Sequence, residues 1–177
     1  MKNDNIRKEV IKTPKALHSL TTLSIYKIGT HLSQENDQQT LALKSSSIEC
    51  LHYIQEYGDA SAQSELVNAN YTGVLVIAIS TASGSVEEKD YEIYWGLDQI
   101  SNFLYNLNQG IKYLFPPQPL LARRSDEQIE EEGGNEEIDS QLINKGISGN
   151  IKDYANRAKG ATLNYFIEQG NPKPSWY

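Results

Sequence analysis

Between residues 91 and 115, "YEIYWGLDQISNFLYNLNQGIKYLF", aliphatic side chains recur at alternating intervals of four and three: Ile93, Leu97, Ile100, Leu104, Leu107, Ile111 and Leu114. At 100° per residue this alternation holds every one of them on a single face of an α-helix, whereas a strand would divide them between two faces. The spacing predicts one unbroken helix over 91–115 with a continuous packing seam. Such a seam must be buried against other elements, and helices are the partners the rest of the chain offers.

Start and stop signals divide the remainder. Thr13 followed by Pro14 has the form of an N-cap with proline at the first helical position, where a missing N–H costs nothing. From there Leu17, Leu20, Leu23, Ile28 and Leu32 keep roughly helical spacing up to the polar break "SQEND". Asp37 is the candidate cap of a second helix carrying Leu41, Ile48, Leu51 and Ile54, which Gly58 ends. Asp59 or Ser61 restarts the chain. In "SAQSELVNANYTGVLVIAISTAS" the run Val74 to Ile79 suits a buried strand as well as a buried helix. The stretch has no turn signal except Gly73 before the capping box Ser85 to Glu88, and its length favours a helix.

After the seam, "PPQP" stops the helix, because proline removes a donor and disfavours helical geometry in the residue before it. Residues 116–140 are acidic, contain Gly133-Gly134 and have little apolar content after Leu121; they read as a mobile acidic loop with at most one short helix opened by Ser125 and Gln128. A last helix is expected from about Asn150 to Gln169, with Ile151, Tyr154, Ala158, Ala161 and Tyr165 on one side and Gly170 closing it. The expectation is an all-α, up-and-down antiparallel bundle of about five helices with a flexible acidic loop before the last. Its single domain spans 13–170, preceded by a charged extension over 1–12 and followed by an extended tail over 171–177, "NPKPSWY".

With 177 residues the chain has the length of one domain with a real core. Sixteen basic against twenty-three acidic residues, a formal charge of −7, argue against nucleic acid as the partner. Cys50 is the only cysteine, which excludes an internal disulfide and a thiolate zinc cluster and fits a reducing compartment. The first twelve residues are charged with no apolar core of a leader, and "VLVIAI" is far below the roughly 20 residues of a membrane helix. A soluble cytoplasmic protein is expected, with leaderless export open.

The 91–115 helix carries a second stripe. Tyr91, Trp95, Tyr105 and Tyr113 fall roughly opposite the seam, with Asp98, Asn102 and Gln109 among them. Three explanations compete: the helix is central and its aromatics face a second layer; the stripe is exposed and docks a partner; or Trp95 with Asp98 or Asn102 lines a small-ligand groove. Tyr91, Trp95, Asp98, Asn102, Tyr105 and Tyr113 are the candidate partner-binding residues.

Glu49, His52 and Glu56 lie on one helix face, but a helical di-iron site needs a second Glu-x-x-His pair, and His18 and His31 have Lys15 and Ile28 at the matching positions. A weak zinc site is the most this triplet offers, and a solvated face is the plainer reading. Cys50 and His52, two apart on a helix, point away from each other and form no dyad. The acidic run at 130–137 lacks the alternating ligands of a calcium loop. No phosphate loop, dinucleotide fingerprint, nucleophile elbow or zinc-protease motif occurs, and no arginine has the histidine five residues on that marks some helical nucleases. No catalytic residue, metal or cofactor is assigned. The expected function is a non-enzymatic protein-interaction module (an adaptor, chaperone-like protein, effector or small complex subunit) that binds another protein or itself. The alternative is a ligand- or metal-binding bundle, with an enzyme of an unfamiliar kind among its forms.

Overall fold

The computed structural model describes residues 15–24, 34–82, 86–144, 146 and 150–163. Among them the fold is all-α: α1 Ala16–Ser24, α2 Gln34–Tyr57, α3 Ala60–Asn68, α4 Tyr71–Ser80, α5 Val86–Gln109, α6 Pro119–Glu131, α7 Gly134–Gln141 and α8 Ile151–Leu163. The one bridge of β type is isolated, between Ile111 and Phe115. Among the described residues eight helices replace the expected bundle of about five, and the differences have local causes. No helix among the described residues is long and apolar enough to cross a membrane.

The ambiguous run "VLVIAI" is helical and forms the centre of the bundle. Tyr71 to Val76, Ala78 and Ile79 are all buried, so α4 is buried on nearly its whole circumference. It packs against α5, α6, α7, α3 and α1. The expected single helix over this region breaks at Ala69-Asn70, where Asn70 adopts a left-handed φ of 61°. Asparagine is among the few residues that enter this region readily, and "NAN" was the turn signal to read. Asp59 does cap α3, its Oδ1 accepting from the Ala62 N–H at 3.1 Å. Asp37 does not cap α2, which already begins at Gln34.

The seam holds over α5. Ile93, Leu97, Ile100, Leu104 and Leu107 are buried, joined by Phe103. The rod is shorter than the sequence suggests, because Gly110 takes φ +74° and ends it after Gln109. Ile111 is partly buried against the core, Leu114 is 39% exposed, and Phe115 is the buried residue of the turn that follows.

Residues 116–140 are not a flexible loop. Pro119, the last residue of "PPQP", is the first of α6 and follows its N-cap Gln118. Ala122, Ser125, Gln128 and Ile129 then bury one face, while Glu127, Glu130 and Glu131 point outward. Ser125 is therefore mid-helix and opens nothing. Gly133, at φ +72°, turns the chain into α7. At Gly134 a Cβ would stand 2.5 Å from Ile129 Cγ2 and 2.7 Å from Val76 Cγ2, so the glycine lets α7 start hard against α4 and α6. The glycine pair marks a corner between packed helices.

Not every neighbour is antiparallel. Gly146, Tyr154 and Arg157 meet Asp90, Tyr94 and Asp98 in that order, so α8 runs parallel to α5, the helix it packs against most extensively. Ile151, Ala155, Ala158 and Ala161 supply its buried side. Buried glutamines tie the helix ends together. Gln63 Nε2 donates to the carbonyls of Gln55 and Gly58 at 2.9 and 3.2 Å, closing the end of α2. Gln128 Nε2 donates to the Val67 carbonyl at 2.7 Å, doing the same for α3. The Thr13-Pro14 cap, Ile28, Leu32, Ser85, Tyr165, Gly170, the extension over 1–12 and the tail over 171–177 lie outside the described residues.

Candidate docking surface

Two long helices build the surface, α2 and the first half of α5, with α4 beneath. Four consecutive side chains of α2 divide between inside and outside: Leu51 and Ile54 enter the core, while His52 is half-buried and Tyr53 exposed. His52 reaches across to α5. Its Nδ1–H donates to Gln99 Oε1 at 2.6 Å, and its ring meets Trp95 edge-on with centroids 5.8 Å apart. Gln99 is buried, so this bond fixes where the two helices meet at the surface. His52 Nε2 lies 3.6 Å from Glu56 one turn on.

Aromatic rings spread from this joint in both directions. Tyr53 stacks on Tyr57 along α2, with centroids 6.4 Å apart. Along α5, Tyr91 adjoins Tyr94 at 6.3 Å, and Tyr94 meets Tyr154 of α8 edge to face at 4.3 Å. The Arg157 guanidinium sits 4.9 Å from the Tyr154 ring centre. A hydrogen bond with Tyr154, with burial adding to it, pushes the Tyr94 phenol up to about 12. Asp98 lies below this row. Burial holds its carboxyl above the usual carboxylate range, against the opposing pull of Arg157, His52 and the Asn102 side chain, whose Nδ2 donates to Asp98 Oδ2 at 3.0 Å.

Between α2 and α5 these side chains leave a groove of about 420 Å³, walled by Ile48, His52, Tyr53, Tyr91 and Trp95 with Ala78 of α4 beneath. Glu49, Glu92 and Lys44 are its charged members.

The candidate residues therefore separate. Tyr91 and Trp95 line the groove, Tyr91 with 65% of its surface exposed and Trp95 packed partly against the core. Asp98 and Asn102 adjoin it as a hydrogen-bonded pair, and Tyr105 is exposed one to two turns further on. Tyr113 belongs elsewhere. It lies past the end of α5, in the turn Ile111–Phe115, with φ +70° and 91% exposure, and is not among the side chains lining the groove. The sequence singled out none of Tyr53, Tyr57 and Tyr94 and placed Tyr154 only on one side of the last helix, although Tyr53 and Tyr57 stand one helical turn apart. Glu49, His52 and Glu56 share a face, but among the described residues no three His, Cys, Asp or Glu side chains converge to hold a metal ion. Cys50 is exposed, not the small core residue its type suggests.

No known protein family matches the chain, and neither do any curated protein or solved structure.

Proposed function

We propose that this chain is a non-enzymatic protein-interaction module whose docking surface is the aromatic groove between α2 and α5. The observation that carries the reading is the exposure of Tyr91, Tyr53 and Tyr57 around a half-buried Trp95, on two helices that send Leu51 and Ile54, and Ile93, Leu97 and Ile100, into the core. Tyrosine and tryptophan supply large contact area at low entropic cost, and a ring held in place by neighbouring rings loses little freedom on binding. The partner is another protein or a second copy of the chain, working in the cytoplasm as an adaptor, chaperone-like protein, effector or small subunit of a complex.

A ligand-binding bundle is the second reading. It is favoured by the groove's volume, which falls within the roughly 300–1,000 Å³ of small-molecule pockets. The open walls of exposed tyrosine suit a protruding side chain of a partner better than an enclosed molecule. The test is Tyr91→Ala and Trp95→Ala in the full chain. Under the docking reading, Tyr91→Ala leaves the thermal midpoint nearly unchanged and abolishes association with the co-purified partner or with itself. A large fall in midpoint for both variants would make the stripe core instead.

A further inference from the structure

We propose that the α2–α5 groove receives a cationic side chain, a lysine or arginine presented by a basic segment of the partner protein. This deepens the docking reading above and rests on it. Aromatic faces carry negative charge density, and Trp and Tyr hold ammonium and guanidinium groups over their rings within about 6 Å. The groove offers Trp95, Tyr91 and Tyr53 for that purpose and the carboxylates of Glu49 and Glu92 beside them. Glu56 and Asp98 add negative charge next to His52, and Lys44 is the one lysine among the groove's described lining residues. The aliphatic stem of the incoming side chain would lie on Ile48 and Ala78, which gives a long, apolar-stemmed cation an advantage over a small ion.

The same surface already shows the chemistry within the molecule. Arg157 rests 4.9 Å from the Tyr154 ring centre at the other end of the tyrosine row, with the Asp98 carboxylate acting on it. A net charge of −7 would steer a basic segment toward the chain before contact.

The experiment uses the full chain with Trp176→Phe, which leaves Trp95 as its only indole. An arginine- and lysine-rich peptide and a glutamate-rich peptide of equal length are titrated against Trp95 fluorescence at about 0.15 M salt, where screening over about 8 Å suppresses diffuse attraction. The expected result is a saturable change with the basic peptide only, weakened at least tenfold by the pair Glu49→Gln and Glu92→Gln, with the double variant still folded by circular dichroism. No change with the basic peptide, an equal response to the acidic one, or full binding by the double variant would each overturn the proposal. If the peptide fails while Tyr91→Ala still abolishes partner association, the cationic chemistry is wrong and the docking surface stands. If both fail, the docking reading falls too.

Discussion

His52 Nδ1 and Gln99 Oε1, 2.6 Å apart, join the two helices that frame the groove, and the bond sets which edge of the imidazole faces Trp95. Gln99 lies on α5 one turn after Trp95, on the flank between the buried seam and the exposed tyrosines. This polar contact thus links the core to the proposed docking surface, beside the packing of Trp95 on the core.

Replacing the acceptor by an apolar residue of similar volume tests that connection. Gln99→Leu leaves a half-buried N–H without its partner and is expected to cost about 1–3 kcal/mol. Urea unfolding measures the loss, and a red shift of Trp95 emission reports the loosened ring contact.

Tyr113 sits where the backbone favours another residue. Leu114 N–H donates to the Ile111 carbonyl at 2.9 Å, and Tyr113 occupies the third position of that turn with φ +70°, a place suited to glycine or asparagine. The left-handed conformation costs a side-chain-bearing residue about 1–2 kcal/mol, and glycine gives back about half of that in unfolded-state entropy. Tyr113→Gly should therefore raise stability by about 1 kcal/mol or less in chemical denaturation, because the exposed ring contributes nothing to the core. A fall in stability would show that the ring packs.

Asp126 supplies a pH dependence. Burial, with the nearby Glu130 and Glu127 charges, pushes its carboxyl up to about 6, above the unfolded value near 3.9. A folded pKa above the unfolded one means that the folded state holds the proton more tightly. Its contribution is complete below about pH 4 and is lost as pH rises through about 6. Asp126→Asn should raise the thermal midpoint at pH 7 and flatten its change between pH 4 and 7. Midpoints measured across that range for both proteins decide it.

The helix class and the core face of α5 were legible because a four-three alternation over many residues has no strand interpretation. The capping of α3 by Asp59 was legible for a similarly local reason. The number of helices was not. Asn70 breaks a helix with a side chain that ordinary propensity reads as merely polar, and Gly110 stops α5 inside an apolar pattern that continues through Ile111 and Leu114. Residues 116–140 misled because their glutamates dominate the composition, while the buried positions Ala122, Ser125 and Ile129 keep helical spacing with small or isolated residues. The buried glutamines Gln55, Gln63, Gln99 and Gln128 carry no apolar signal at all, since each is inside only because it satisfies a carbonyl, hydroxyl or imidazole there. Of the candidate surface, Tyr91 and Trp95 could be read from one helix. The α2 wall could not, because the pairing of His52 with Gln99 spans forty-seven residues of sequence.

The most direct measurement of the docking claim is site-specific cross-linking in the native cell, with a photoreactive benzophenone side chain in place of Tyr91 and, as a control, in place of the exposed Glu136 on α7. A discrete adduct of defined mass from position 91 and none from position 136 is the predicted result. Adducts equal at the two positions, or none at position 91, would contradict it.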